Sequence, residues 1–406
     1  MSLAKKCYFI SRNDTNRQSI YLDNAATTEV DKHALATALP YLDTRYENPS
    51  SLYRSSQEVH DVIEQARKDI ADCIGAKGNE IYFTSGGSES NCWAIQGFIN
   101  YWLKYRCKPI IITSEIEHKS IIECVKNSNA EHYFLPVDKY GFVDMVVLSD
   151  LLKKIDKEDV KCEAKILVSI QYANNEIGTV QPIEEISEIV HQYDYDAWLH
   201  VDGVQAVGKI PIDVEELGID MLSASAHKFG GLKGSGFLYI NDKTNILPLI
   251  YGTQNNGMRG GTENVAGIVA MATALKECDT STAYQSQMAT LKMKLRDSIK
   301  GLPYHFRFIN ADIGYDAMPN ILTVTILENV TAEAVLYMLD SADIQISSGS
   351  ACNARSHKPS YVLSAIGLSD WDAVRTIRIS FDKPLTNEDI DRFISELEKS
   401  IKILIS

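Results

Sequence analysis

Ile219-Asp220-Met221-Leu222-Ser223-Ala224-Ser225-Ala226-His227-Lys228-Phe229-Gly230-Gly231 is an apolar run that stops at a basic pair and then at glycines. A short run with little polar alternation reads as a strand buried on both faces. Asp202 ends a second such run, Ala197-Trp198-Leu199-His200-Val201. Further back the chain alternates between helical and strand patterns. Apolar residues at 59, 62, 63, 66, 70 and 74 have helical spacing, a strand is predicted at 81–84 and a helix at 88–105. A strand at 109–113, a helix at 119–127, a strand at 165–172 and a helix at 182–193 follow. Alternation of this kind predicts an α/β fold, with a mainly parallel sheet flanked by helices on both faces. Beyond residue 275 the pattern changes. An amphipathic helix at 288–299 precedes an alternating run at 320–326, expected as a half-exposed antiparallel strand. A helix at 331–340, a strand at 376–381 and a terminal helix from 387, with Thr386 as N-cap and Asp389 three residues on, complete the region. The expected division is a large domain over 20–275 and a smaller α+β domain from 1–19 and 276–406.

Of 406 residues, 45% are hydrophobic and 23% charged, a globular composition. A net charge of −14 argues against a nucleic-acid-binding surface. The longest apolar runs, such as 109–113, are too short to span a bilayer, so no membrane partner is expected. The opening residues lead into no sustained apolar stretch, so no secretory signal is expected. Eight scattered cysteines, with no C-x-x-C pair, suit reduced thiols in a cytoplasmic protein and predict neither a disulfide framework nor a metal site.

In an open parallel sheet, ligands bind beyond the carboxyl ends of the strands. Lys228 and Asp202 end two of them. An amine that forms a Schiff base and a carboxylate that keeps a pyridine nitrogen protonated are the requirements of pyridoxal phosphate. Ser85-Gly86-Gly87-Ser88-Glu89-Ser90 opens a helix after 81–84 and suits a phosphate cradle, or an ordinary N-cap. His118 follows 109–113 and suits ring stacking and proton movement. Asn174-Asn175-Glu176-Ile177-Gly178 follows 165–172 and suits amide contacts to a ring oxygen or a carboxylate, or a plain turn. Gln205 and His227 complete the set.

A second constellation lies at 347–359, where Cys352 sits in a Gly/Ser loop beside Arg355, His357 and Lys358. Nearby cations favour the thiolate, so Cys352 reads as a nucleophile. In Thr376-Ile377-Arg378-Ile379-Ser380-Phe381, the guanidinium points away from the three apolar side chains. It suits bidentate grip on an amino-acid carboxylate or a structural salt bridge.

With these motifs assembled, the chain resembles a cysteine desulfurase of the iron–sulfur-assembly and nitrogen-fixation type, within the class V aminotransferase family. The resemblance rests on Tyr21-Leu22-Asp23-Asn24-Ala25-Ala26-Thr27-Thr28, Asn48-Pro49-Ser50-Ser51, Ser85 through Asn91 and Glu117-His118-Lys119. It extends through Asn174 to Gly178, His200 to Gln205, Ala226-His227-Lys228, Met258-Arg259-Gly260-Gly261-Thr262 and Ser347 to Cys352. It implies a fold-type I architecture with a seven-stranded sheet. It also implies pyridoxal phosphate on Lys228, Asp202 at its ring nitrogen, Gln205 at its ring hydroxyl and His118 stacked on the ring. Gly87, Ser88, Ser225 and His227 would bind the phosphate, with Thr262 reaching it from the other subunit of a homodimer. Asn175 and Arg378 would hold the carboxylate of L-cysteine. Cys352 would take the sulfur as a persulfide, leave alanine, and pass the sulfur to an acceptor such as an iron–sulfur scaffold or a thiolation protein. Selenocysteine lysis, transamination and a silent scaffold role are the alternatives. Tyr251 through Gly257 and Phe381-Asp382-Lys383-Pro384 depart from the family pattern.

Overall fold

The computed structural model describes residues 19–159, 161, 163–192, 197–310, 314–349 and 359–406. After β1 (Ile20–Tyr21) come β2 (Ile81–Thr84), β3 (Lys108–Ser114), β4 (Glu131–Leu135), β5 (Ala164–Gln171), β6 (Ala197–Asp202), β7 (Met221–Ser225) and β8 (Gly236–Ile240). Strands β2 to β8 form one sheet in the order β2-β8-β7-β6-β5-β3-β4. Only β8 runs antiparallel to its neighbours, so the other six deliver their carboxyl ends to one edge.

Successive side chains of a strand leave opposite faces. In β3, Ile110 and Ile112 enter one hydrophobic core and Ile111 another, and in β5 Val168 and Ile170 oppose Leu167. Both faces are covered, so apolar residues point both ways and the strands read as runs. The first core is closed by helices Lys32–Asp43, Arg54–Cys73, Met145–Glu158, Ile183–His191 and Val265–Glu277. Gly87–Lys104 and Lys119–Lys126 close the second. Strand β8 has no counterpart in the sequence reading, which stops at the glycines after Lys228. The chain instead returns as an antiparallel strand. A Cβ on Gly236 would lie 2.5 Å from the Ala224 carbonyl oxygen and 2.7 Å from Gly86 Cα, so only glycine fits this return.

The rest of the chain forms β9 (Phe306–Ile309), β10 (Ile321–Ile326), β11 (Ile344–Gln345), β12 (Ser347–Ser348) and β13 (Thr376–Ser380). Four of these make an antiparallel sheet ordered β12-β13-β10-β9, while β11 pairs with β1. Their core takes in Ile20, Leu22 and helices Thr282–Lys300, Ala332–Asp340 and Asn387–Ile405. Strand β10 is antiparallel as expected, but it is buried throughout rather than half exposed. Leu322, Val324 and Ile326 face the smaller core, while Ile321 belongs to the larger one. The Thr323 hydroxyl donates to the Glu176 carbonyl (2.5 Å), and the Thr325 and Thr376 hydroxyls bond each other (2.8 Å). Threonines that read as solvent-facing are thus satisfied inside the protein. Among the described residues, no helix is long and apolar enough to cross a membrane.

Thr386 does cap the last helix: its hydroxyl accepts from Asp389 N (3.1 Å), and Asp389 Oδ2 accepts from Thr386 N (3.0 Å). Phe393 is fully buried one turn further on. Thr386→Ala is expected to cost about 1 kcal/mol and Phe393→Ala about 3–5 kcal/mol. Urea unfolding of both variants checks the ranking.

Candidate active site

The carboxyl ends of β2, β3, β5, β6 and β7 surround a cavity of about 360 Å³, and Arg378 of β13 borders it from the second sheet. Gly87, Ser88, His118, Asn175, Asp202, Gln205, Ser225, His227 and Lys228 all line it. Thr262 is exposed and does not. Cys352 lies outside the described residues.

Asp202 is buried where β6 ends, and neighbouring β7 leads into the turn that carries Lys228. Asp202 Oδ2 accepts from Asn91 Nδ2 (2.7 Å) and Oδ1 accepts from Val204 N (3.1 Å). Lys228 Nζ donates to the carbonyls of Ala25 (2.6 Å) and Ala26 (3.0 Å). Gln205 Nε2 donates to the same Ala25 oxygen at 2.9 Å. The 21–28 motif therefore holds Lys228 and Gln205 through its backbone.

His118 caps the Lys119–Lys126 helix, its Nδ1 accepting from Ser120 N at 3.1 Å. The neutral ring thus carries its proton on Nε2. Burial holds His118 below the usual imidazole range, and the Lys228 charge adds to that, although Asp202 pulls the other way. His227 is pulled down to about 4 by burial and then by Lys228, Lys233 and Lys209.

The residues fit a phosphorylated pyridine aldehyde. The Gly87–Lys104 helix has Gly86 as N-cap, so no side chain caps its first amides. A Cβ on Gly87 would come within 2.5 Å of Val204 Cγ2, so glycine alone allows this approach. An uncapped helix start bordered by Ser88, Ser225 and His227 suits an anion. Amine and carboxylate lie across the same cavity. At its other end Arg378 is 1% exposed. Its Nη2 pairs with Asp23 Oδ1 (2.5 Å) and its Nη1 donates to the Asn175 carbonyl (2.8 Å). Among the described residues its Nε has no partner. The salt bridge and a vacant donor coexist on one guanidinium.

The aminotransferase class-V family profile matches residues 20–393. The chain belongs to that family. Cysteine desulfurase IscS of Dictyoglomus turgidum is 41% identical over 400 residues, covering 96% of each chain. A solved NifS-like protein superposes with a TM-score of 0.85 at 34% identity, covering 95% of this chain and all 100% of its own. SspA, solved in complex with cysteine, superposes with a TM-score of 0.75 at 34% identity, covering 89% of this chain and 99% of its own. The mixed α/β fold with its seven-stranded sheet agrees with these relatives, and the family implies dependence on pyridoxal phosphate.

Sequence reasoning missed Asn91, Ser120 and Glu176 as site residues. Asn91 follows Ser88 by three positions on one helix, a spacing that places both on one face. Glu176 is legible only in three dimensions. It borders the cavity, and its Oε2 accepts from the hydroxyl of Ser360, which caps the Tyr361–Ala365 helix (2.5 Å). Burial pushes Glu176 up to about 7, against the opposing effects of Ser360, Arg378 and Lys119. Its ordinary value is 4.5, so the folded protein holds this proton more tightly than the unfolded chain does. The stabilising contribution is full below that value and lost as pH rises through 7. Glu176→Gln stays neutral, and is expected to match the wild type at pH 4 and exceed it by on the order of 3 kcal/mol at pH 8. Urea unfolding at both pH values tests this; an identical pH response in the two proteins would contradict it.

Proposed function

We propose that the protein is a pyridoxal-phosphate-dependent cysteine desulfurase that converts L-cysteine to L-alanine and passes the sulfur through Cys352 to an acceptor. One observation carries the reading: a lysine amine, a buried carboxylate and an arginine whose Nε has no partner among the described residues share one cavity. The kinship with desulfurases over nearly the whole chain supports it. The cofactor, when bound, supplies an aldehyde for an amine and a protonated ring that withdraws electrons from Cα.

Lys228 would hold the cofactor by Nζ, Asp202 its ring nitrogen, Gln205 its ring hydroxyl and His118 its ring face. Gly87, Ser88, Ser225 and His227 would take the phosphate. Arg378 Nε and Asn175 would grip the substrate carboxylate. The Lys228 amine would carry the Cα proton. The Cys352 thiolate then takes the substrate sulfur: the Cβ–S bond breaks and an S–S bond forms. The electron pair left on the carbon skeleton takes up a proton, and alanine results. The acceptor would be an iron–sulfur scaffold or a thiolation protein in the cytoplasm.

A homodimer in which Thr262 reaches the partner's phosphate belongs to the same proposal. Arg259, three residues before Thr262, clamps Glu89 in the first turn of the phosphate-binding helix with contacts of 2.9 and 3.2 Å. An exposed Thr262 thus sits on a segment anchored beside the cradle.

Wild-type protein is expected to yield equal sulfide and alanine from L-cysteine with a reductant. Cys352→Ala is expected to lose both products while keeping the cofactor's visible absorption, and Lys228→Ala to lose that absorption's normal form as well. Full activity in Cys352→Ala would defeat the persulfide route. Arg378→Lys is expected to raise KM for L-cysteine about 10- to 100-fold, because hydrogen bonds to charged groups are worth about 1.5–3 kcal/mol. Steady-state kinetics reads that change.

A further inference from the structure

Two cysteines outside the proposed chemistry face each other across the helices that build the site. Cys92 lies on Gly87–Lys104 and Cys124 on Lys119–Lys126, with their sulfurs 3.5 Å apart. Both are partly accessible free thiols. The contact is held on two sides. Gln96, one turn after Cys92, directs its amide to the Cys124 sulfur (3.5 Å) and carbonyl (3.4 Å). Asn91, immediately before Cys92, donates to the hydroxyl of Ser120, one turn before Cys124 (2.9 Å).

We propose that Cys92 and Cys124 form a reversible dithiol–disulfide site that takes hydrogen peroxide as oxidant. A disulfide needs an S–S separation of about 2.05 Å, so from 3.5 Å the sulfurs close by roughly 1.5 Å. The hydrogen bond from Cys124 lowers the Cys92 thiol to about 7, against burial and the charge of Glu89. Its partner is raised, first by that same bond and then by burial. Cys124 also lies in the last turn of its helix, where the free carbonyls disfavour a thiolate, so Cys92 is the nucleophile and Cys124 the resolving thiol. Two other described thiols are held back: Cys278 is pushed up to about 12 and Cys73 is raised, both chiefly by burial.

The Cys92 thiolate attacks one peroxide oxygen. The O–O bond breaks, hydroxide leaves and takes up a proton, and a sulfenic acid remains. Cys124 sulfur then attacks Cys92 sulfur, the S–O bond breaks, and the hydroxide leaves as water with the Cys124 proton. Two thiols and one peroxide become one disulfide and two waters. The new bond ties the helix bearing Ser88 and Asn91 to the helix that His118 caps. This chemistry needs neither cofactor nor L-cysteine, so it stands or falls separately from the desulfurase reading.

The test is peroxide treatment of the purified holoenzyme, followed by alkylation and non-reducing peptide mapping by mass spectrometry. The expected result is a peptide linking 92 to 124, two hydrogens lighter than the separate peptides and lost on dithiothreitol treatment. Cys124→Ser is expected to leave a dimedone-reactive sulfenic acid on Cys92, whereas Cys92→Ser is expected to leave Cys124 fully alkylatable. If wild-type Cys92 and Cys124 both stay alkylatable after peroxide, or if Cys92 links to another cysteine, the proposal fails. The wild-type map decides this even if a variant does not fold.

Discussion

The buried carboxylate of Asp202 is the constraint on which the site depends. A carboxylate with 5% exposure keeps its charge only if donors replace the water it has lost. Asp202 obtains them from Val204 N in its own turn and from Asn91 on the helix after β2. Asn91 also grips Ser120, whose backbone amide holds the His118 ring. Three crossover units are thereby tied to one anion, and their loops take the positions that frame the cavity.

Charge elsewhere near this anion is kept scarce. His200, two residues before Asp202, lies between the hydroxyls of Ser169 and Ser223, both at 2.9 Å, and burial pulls it down to about 3. It is a neutral pillar in the middle of the sheet. Glu117 is raised well above the usual carboxylate range by burial, with the Asp202 charge adding to the shift. Lys209 is lowered to about 7 by burial and then by Lys228, and its Nζ donates to Gln205 Oε1 at 3.1 Å. That bond turns the Gln205 amide nitrogen toward Ala25, the carbonyl that also receives Lys228.

The strand ends were legible because a parallel strand covered on both faces is mostly apolar along its length. A charged residue closing such a run, as at Asp202, or a titratable one in the loop after it, as at His118, then stands out. Elements that break this logic were hidden. Strand β4 lies at the sheet edge and carries Glu131 and His132. Strand β8 emerges from glycines that read as loop. In β10, burial of Thr323 and Thr325 comes from packing of one sheet against the rest of the molecule, which no local pattern encodes.

From residue types and spacing alone came the α/β class, the parallel sheet, the amine–carboxylate pair and the capped final helix. Each follows from period, propensity or a side chain's chemistry within a few positions of itself. Tertiary structure alone decided that Ala25 and Ala26 hold Lys228, that Asn91 holds Asp202, and that Glu176 meets Ser360. It also decided that Arg378 pairs with Asp23 while no described residue meets its Nε. These bonds join residues more than a hundred positions apart. Which polar group satisfies which is settled only when burial removes water from both.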